Sequence, residues 1–220
     1  MKSITNSVTY WRDQEAPAEQ AIALSQNIQL DDKSLWNLFR EGDEAAFIRI
    51  YKKYFHTLLS FGLQFCQSTN DVEDFVQDLF INLRHKRSKL NPLKTSLKVF
   101  LMVSLKNSIL DYKRKQLVRN RNLSSYWEEF EFVLPVEEEM INIQAYEEKL
   151  AKLKKGLEQL SSRQREALYY LYFENLSYTE IKELMHLDQV KSVRNLVYKA
   201  LDALKPTLHI LAMVAIVKSL

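Results

Sequence analysis

Apolar residues recur at spacings of three and four along most of the chain, which is the period of helices with one buried face. The first clear period begins at Asp32 and ends near Gly42, and Asp43 follows as the predicted N-cap of a longer helix. The apolar stripe of that helix comprises Phe47, Ile50, Tyr51, Tyr54, Phe55, Leu58 and Leu59. Only three Gly and four Pro occur among 220 residues, so we predict an all-α protein with few sharp turns.

Two further helices are predicted before the middle of the chain. One starts at Asn70, with Glu73 as its capping-box partner, and buries Val72, Phe75, Val76, Leu79, Phe80 and Leu83. The Asn91-Pro92 step then breaks the helical pattern. The next helix extends from about Leu97 to Gln116, with Phe100, Leu101, Leu105, Ile109 and Tyr112 as its inward positions.

The helical period is lost between about Leu117 and Val136 and returns by Met140. This interruption predicts a linker between two small helical domains, the second of which begins with a helix that extends to Leu160. The predicted organisation is an N-terminal extension (1–30), a first domain (31–116), a linker (117–139), a second domain (140–205) and a hydrophobic tail (206–220).

The second domain has the layout of a helix-turn-helix, in which a short capped helix precedes a final amphipathic helix. Its boundaries are predicted from capping boxes and a proline: Ser161 with Gln164, Ser177 with Glu180, and Pro206 after a last helix from about Val190 to Leu204. The apolar side of the last helix, expected to face the core, carries Val193, Leu196, Val197, Ala200 and Leu204.

The polar side of the last helix offers side chains that suit base edges and phosphates. Arg can donate two hydrogen bonds to guanine and Asn can pair with adenine, whereas Lys is as well suited to phosphate. The candidate DNA-binding residues are Lys191, Ser192, Arg194, Asn195, Tyr198 and Lys199. A solvated surface is the alternative interpretation of any one of them.

Charge is distributed unevenly although the net charge is only +3. From Arg84 to Arg121 there are twelve Lys or Arg against one acid, Asp111, whereas Glu128 to Glu148 contains eight glutamates and no base. A basic block of this density is typical of a surface that binds a polyanion, with a solvated helix face as the alternative. Phe100 and Tyr112 within it could stack on unpaired bases or belong to the core.

No residue pattern indicates catalysis or a bound cofactor. Asp71, Asp74 and Asp78 share one helix face and could contribute to a divalent metal site, but a second ligand-bearing element is missing and the flanking residues are mainly cations. The four histidines and Cys66 are widely separated. The expectation is no catalytic residue, metal or cofactor, and a polar face that is either solvated or docks a partner protein.

Two further features bear on the cellular compartment. A single cysteine cannot form an internal disulfide and the N-terminus has no secretory pattern, so a cytoplasmic protein is expected. The uncharged segment from Leu208 to Val217 is too short to span a bilayer and is expected to pack within the protein or to dock on a partner.

These elements, in this order, resemble the extracytoplasmic-function group of sigma-70-type factors. The sequence of the last helix is similar to that of members from Bacteroidetes-type bacteria. GDEAAF from Gly42 and DVEDFVQDLF from Asp71 resemble region 2, as does LKVFLMVSLKNSILDYKRK from Leu97, in which Asn107 and Asp111 match the family's N-x-x-x-D. LSSRQREALYYLYFENLSYTEI from Leu160 and SVRNLVYKAL from Ser192 resemble region 4.

The resemblance implies a sigma factor that is not an enzyme, has no small-molecule substrate and directs core RNA polymerase to promoters. Its partners would be the polymerase β′ clamp helices and β flap, promoter DNA and an anti-sigma protein, which in this group is frequently membrane-anchored. Polymerase binding falls by position to Asp71, Asp74, Gln77 and Asp78. Binding of the −10 element falls to Arg84, Lys86, Arg87, Lys89, Lys94, Lys98, Phe100, Lys106, Asn107, Lys113 and Arg114. Binding of the −35 element falls to the six polar residues of the last helix named above, Lys191, Ser192, Arg194, Asn195, Tyr198 and Lys199. A free-standing helix-turn-helix regulator is the alternative.

Two positions depart from the family's pattern. Phe100 stands where a Trp is usual, and His186 stands where the turn usually has Gly, in a turn one residue longer. A positive φ is unfavourable for a residue with a side chain, so a turn of different shape is expected.

Overall fold

The computed structural model describes residues 30–119, 130–131, 151 and 153–218, except for the side chains of 117, 119 and 207–218. Within these ranges every regular element is helical, which confirms the all-α prediction. The elements are α1 (Asp32–Glu41), α2 (Glu44–Gly62), α3 (Thr69–Lys86), a 3₁₀ helix (Arg87–Lys89), α4 (Leu97–Arg119), α5 (Ser162–Tyr172), α6 (Tyr178–Leu184) and α7 (Val190–Lys218). We call α1–α4 the N-terminal helical group and α5–α7 the C-terminal helical group.

Capping side chains fix the starts of α1 and α2, and a glycine forms the corner between the two helices. The Asp31 carboxylate accepts a hydrogen bond from the Ser34 amide at 2.9 Å, and Asp43 does the same for the Ala46 amide, as predicted. Between them Gly42 has φ 104°, a left-handed conformation that L side chains rarely adopt. The glycine therefore lets α1 end and α2 begin within two residues.

The start of α3 differs from the sequence prediction. The helix begins at Thr69 rather than Asn70, and the hydroxyl of Ser68 accepts from the Asp71 amide at 3.2 Å. The predicted capping box of Asn70 with Glu73 was wrong, because a serine two residues upstream already satisfies the unpaired amide of the first turn.

Helices α2 and α3 approach each other closely at Gly62. A Cβ added to this glycine would lie 2.4 Å from Cγ1 of Val72, which is less than any real contact of such atoms. Val72 is fully buried, so a side chain at position 62 would require the two helices to separate. The N-terminal helical group is packed around this contact and around buried aromatic rings of α1, α2 and α3.

The basic connector between α3 and α4 is held against α1 by two hydrogen bonds. The indole of Trp36 donates to the carbonyl of Asn91 at 3.0 Å, and Nε of Arg40 donates to the carbonyl of Leu90 at 2.6 Å. The segment that ends the helical pattern at Asn91-Pro92 therefore has a fixed path across the N-terminal helical group.

Both predicted capping boxes of the C-terminal helical group are present. Ser161 and Gln164 exchange hydrogen bonds at the start of α5, and Ser177 and Glu180 do so at the start of α6. The side chains that join α6 and α7 are buried, namely Ile181, Leu184, Val193, Val197, Ala200 and Leu204. Residues 153–158, which precede α5, are also helical.

The last helix is longer than the sequence predicts. α7 continues through Pro206 to Lys218 instead of ending before the proline. The fixed φ of proline is compatible with a helix. A proline inside a helix removes one backbone hydrogen bond but does not have to end the helix. Among the residues described, no helix has the length and apolar character needed to cross a membrane.

Candidate nucleic-acid interface

The first half of α7 exposes the polar residues that the sequence assigns to DNA. Lys191, Arg194, Asn195, Tyr198 and Lys199 are exposed, with Tyr198 at 70% exposure, and Ser192 is partly buried. The opposite side of the helix is buried against α5 and α6. The division into a core side and a free polar side therefore agrees with the predicted division, although DNA binding by these residues remains a prediction.

The turn before α7 keeps the shape that glycine favours, so the expectation of a different shape was wrong. His186 has φ 52°, and its amide donates to the carbonyl of Glu183 at 3.1 Å. The amide of Leu187 donates to the carbonyl of Lys182 at 2.9 Å. This pair of bonds is a Schellman motif, with His186 at the position where glycine is favoured.

A tyrosine of α6 supports the guanidinium group of Arg194. The carbon of that group lies 5.7 Å from the ring centre of Tyr178, within the range of a cation–π contact. The position of Tyr178 at the N-terminus of α6 gives no sequence signal for this role, and Tyr178 was not among the predicted site residues. The contact limits the directions in which Arg194 can extend from α7.

The polar face of α3 is exposed as expected for a docking surface. Asp71, Asp74 and Asp78 are exposed, and Gln77 is partly buried. Ile81, one turn beyond Asp78, is 40% exposed on the same side and was missed by the sequence analysis. The sequence signal that could have indicated Ile81 is its apolar side chain at a position outside the buried stripe of the helix.

The three carboxylates are not gathered into a metal site. Within the described ranges, no group of three or more His, Cys, Asp or Glu side chains has an arrangement that could hold a metal ion. The carboxylates of Asp71, Asp74 and Asp78 lie along an exposed helix surface.

The basic segment between α3 and α4 divides into exposed and paired cations. Lys86, Lys89 and Lys94 are exposed. The guanidinium groups of Arg84 and Arg87 both bind the carboxylate of Glu44, at 3.1 and 2.7 Å. A phosphate would therefore have to compete with Glu44 for these two arginines.

Two aromatic rings of α4 occupy different environments. Phe100 is partly buried, and its ring meets the edge of Trp36 at 5.0 Å between centres. Tyr112 is 46% exposed while its ring contacts Phe75. Of these two rings, Tyr112 is the more accessible to an unpaired base.

The remaining polar residues of α4 also differ in accessibility. Asn107 is exposed, and so is Arg114, which forms an ion pair with Asp111 one turn away. Lys113 is partly buried and donates to the carbonyl of Phe65, and burial lowers the pKa of its ammonium despite the nearby charge of Glu131.

Two lysines assigned to the −10 element face the C-terminal helical group instead of solvent. Lys106 is only 5% exposed, and its ammonium lies 2.5 Å from Oε1 of Glu166. Lys98 binds Oε2 of Glu174 at 2.7 Å. Carboxylates of α5 and of the turn after it thus pair with both lysines, and binding of DNA by Lys98 and Lys106 stays a prediction.

Family models match parts of both helical groups. The family model for sigma-70 region 2 matches residues 50–117, and the model for sigma-70 region 4 matches residues 150–204. Together they match more than half of the chain. The comparison with curated proteins found no match.

Solved structures with the same fold include two complexes. One is CnrH in complex with the cytosolic domain of CnrY, at 20% identity and a TM-score of 0.53, covering 81% of this chain and 97% of that one. The other is the sigma factor RpoE in complex with the anti-sigma factor NepR from Bartonella quintana, at 21% identity and a TM-score of 0.53, covering 74% of this chain and 96% of that one. At 20% and 21% sequence identity, the similarity between this chain and the two solved structures is a similarity of fold.

Proposed function

The chain belongs to the sigma-70 family and acts in transcription initiation, and we propose that it does so as a two-region sigma factor of the extracytoplasmic-function group. In this proposal residues 31–116 are region 2 and bind core polymerase and the −10 element. Residues 140–205 are region 4 and bind the −35 element, with residues 117–139 as the linker.

Polymerase binding is assigned to the exposed face of α3. Asp71, Asp74, Gln77 and Asp78 would contact the β′ clamp helices, and region 4 would contact the β flap. The exposed Ile81 supports the assignment, because protein interfaces combine an apolar centre with a polar rim.

Promoter binding is assigned to two sets of exposed polar residues. The exposed half of α7 carries this part of the proposal most directly, since an arginine, an asparagine and a tyrosine project from one free helix face above a buried apolar side. The exposed lysines of the connector and the Asn107, Tyr112 and Arg114 surface of α4 would contact the −10 region.

Further parts of the proposal follow from the family. The protein would have no catalytic activity of its own and would work in the cytoplasm, where polymerase is found. RpoE, which shares its fold, was solved with an anti-sigma factor, and we extend that kind of partner to this chain.

Run-off transcription with core polymerase from the same bacterium tests the proposal. Purified protein should produce discrete transcripts from fragments of its genome, and the double variant Asp74→Lys with Asp78→Lys should lose most of this transcription and co-purification with core. Charge reversal at an interface opposes association by like-charge repulsion and incomplete desolvation.

Glu41→Lys is the matched control, because Glu41 is an exposed acid on α1, outside the α3 face. It should transcribe like the wild type. Absence of any promoter-dependent transcript contradicts the proposal, and tight DNA binding without polymerase affinity would favour a free-standing regulator.

A further inference from the structure

The basic connector, residues 87–96, carries two of the exposed lysines assigned to promoter DNA, Lys89 and Lys94. It lies between α3 and α4, and beyond the 3₁₀ helix Arg87–Lys89 it has no regular structure. The backbone carbonyls of such a segment need partners from elsewhere, and the segment takes one shape only if other parts of the fold supply them. The partners of the connector therefore determine how its lysines are presented.

One face of α1 supplies two of these partners. Trp36 and Arg40 are four residues apart, so they lie on the same face of the helix, about 6 Å apart along its axis. The indole N–H of Trp36 donates to the carbonyl of Asn91 at 3.0 Å, and Nε of Arg40 donates to the carbonyl of Leu90 at 2.6 Å. Two donors of one helix face thus bind two consecutive carbonyls of the connector.

The side chain of Trp36 is fixed by its own packing. It is 1% exposed, and its ring lies 5.5 Å from that of Phe39 and 5.0 Å from that of Phe100 between centres. Phe100 is in the first turn of α4, so the same indole contacts the connector and the helix that follows it. A buried indole N–H needs an acceptor, and Trp36 finds it 55 positions away along the chain.

The start of the connector is bound by the first residue of α2. Arg87 binds Oε1 of Glu44 at 2.7 Å, and Arg84, at the end of α3, binds Oε2 of the same carboxylate at 3.1 Å. Because these groups are partly exposed, water weakens the two ion pairs. The hydrogen bond from the buried Trp36 is therefore the stronger restraint on the connector.

The connector has an inner side and a free outer side. Leu90 and Leu93 are partly buried and pack against the core. The residues on the outer side are exposed, namely Lys89, Asn91, Pro92 and Lys94. The lysines therefore stand on either side of the point where α1 binds the backbone, and their charges face solvent.

We propose that Trp36 and Arg40 are positioning residues for promoter opening, because they hold the connector in the shape in which Lys89 and Lys94 contact DNA of the −10 region. Neither residue touches DNA, and both act through the backbone of Leu90 and Asn91. Without their bonds the connector would have to become ordered on binding, which reduces affinity for the opened DNA. The inference rests on the proposed function, since it requires that the connector binds the −10 element.

The test compares promoter opening by holoenzymes that contain the full-length protein and core polymerase from the same bacterium. The DNA is the genomic fragment that gives the strongest run-off transcript. Permanganate reactivity of unpaired thymines measures opening, and anisotropy at low temperature measures binding to the closed fragment. Trp36→Phe, which keeps an aromatic ring without the N–H, and Arg40→Met should each slow opening by about three- to tenfold, as for the loss of one hydrogen bond. Binding to the closed fragment should remain as in the wild type.

Hydrogen exchange of the free full-length protein reports on the connector directly. Amides of residues 88–96 should exchange about three- to tenfold faster in Trp36→Phe than in the wild type, because one restraint on their backbone is lost. Amides of α2 should exchange as in the wild type. Equal acceleration in both segments would indicate a general loss of stability and would overturn the proposal.

Three further variants serve as controls. Tyr54→Phe removes a buried donor of the same helical group that binds Asp32 instead of the connector, and it should leave opening unchanged. Lys33→Met removes an exposed cation from α1 and controls for the charge lost in Arg40→Met. Arg40→Lys keeps a cationic donor and should restore most of the opening rate.

The outcomes distinguish failure of this inference from failure of the proposed function. Equal opening by the wild type and Trp36→Phe, or an equal loss in Trp36→Phe and Tyr54→Phe, would overturn the positioning role and leave the sigma assignment intact. If the wild type gives no transcript from any genomic fragment, the sigma assignment fails and the positioning role fails with it.

Discussion

Arg194 is an exposed residue of α7 whose side chain contacts an aromatic ring of another helix. It is exposed, it lies within the first half of the helix, and its guanidinium group rests near the ring of Tyr178. Support from a neighbouring ring reduces the number of conformations that must be restricted on binding a base. Lys199, five residues further along α7, is exposed as well and has the chemistry of a phosphate contact.

Replacing Arg194 by Lys should therefore weaken recognition although the charge is kept. Loss of the paired donors is expected to reduce discrimination at one base pair by about 1–3 kcal/mol. Anisotropy titrations with the mapped −35 sequence and single-base variants measure this. Lys199→Ala is the comparison: it should weaken binding to all sequences alike and reduce the salt slope by about 1. Equal losses of specificity in both variants would contradict the assignment.

Some residues could be assigned from sequence and others could not, for definable reasons. The exposed side of α7 followed from helical period, because the apolar positions fix which side is buried. Lys106 could not be placed, since its burial depends on a carboxylate sixty positions away in another helical group. Phe130 lies in an aperiodic stretch, where spacing carries no information about contacts.

At the scale of elements, the turn between α6 and α7 sets the direction of the recognition helix. The sequence indicated a conflict at His186, and the structure resolves it by retaining the glycine-type Schellman motif with a histidine in the left-handed conformation. Asn175, after α5, has the same φ of 52°, but asparagine tolerates that conformation better.

His186→Gly should stabilise the protein modestly. Left-handed backbone strain of about 1–2 kcal/mol is relieved, and the greater freedom of glycine in the unfolded chain offsets about 0.5–1 kcal/mol of it. Urea unfolding should show a net gain of up to about 1 kcal/mol. His186→Ala keeps a Cβ and should give no such gain. A loss of stability in the glycine variant would show that the histidine side chain makes a compensating contact.

Element boundaries were predicted where a local side chain determines them. The capping boxes at Ser161 and Ser177 were found from sequence because donor and acceptor are three residues apart. The start of α3 was misplaced by one residue, because Ser68 and Asn70 are both acceptable caps and only the backbone path selects between them. The continuation of α7 through Pro206 likewise depends on the local backbone rather than on residue type.

At the scale of the whole molecule, buried tyrosines couple stability to alkaline pH. Burial, and then the neighbouring Glu166, raise the pKa of Tyr170 well above the ordinary value of 10.0. Burial and Glu174 raise the pKa of Tyr169 in the same direction, and burial and Asp32 raise that of Tyr54. The folded protein therefore holds these protons at a pH where the unfolded chain releases them.

The free energy of unfolding should accordingly decrease as pH rises above 10. The contribution of the neutral hydroxyls is fully present below pH 10, where tyrosines are protonated in both states, and is lost progressively above it, by up to about 1.4 kcal/mol per pH unit for each tyrosine. Urea unfolding at several pH values, with absorbance of tyrosinate, measures this. Tyr170→Phe should show a shallower decrease, and an equal slope in wild type and variant would contradict the expectation.

Phe130 lies in the chain that connects the two helical groups, and its ring contacts Phe65 of the N-terminal helical group and Tyr169 of the C-terminal helical group. Because regions 2 and 4 are parts of one chain, their contact operates at an effective concentration in the millimolar range for a flexible tether, whatever the amount of protein in the cell. Dilution cannot open such a contact.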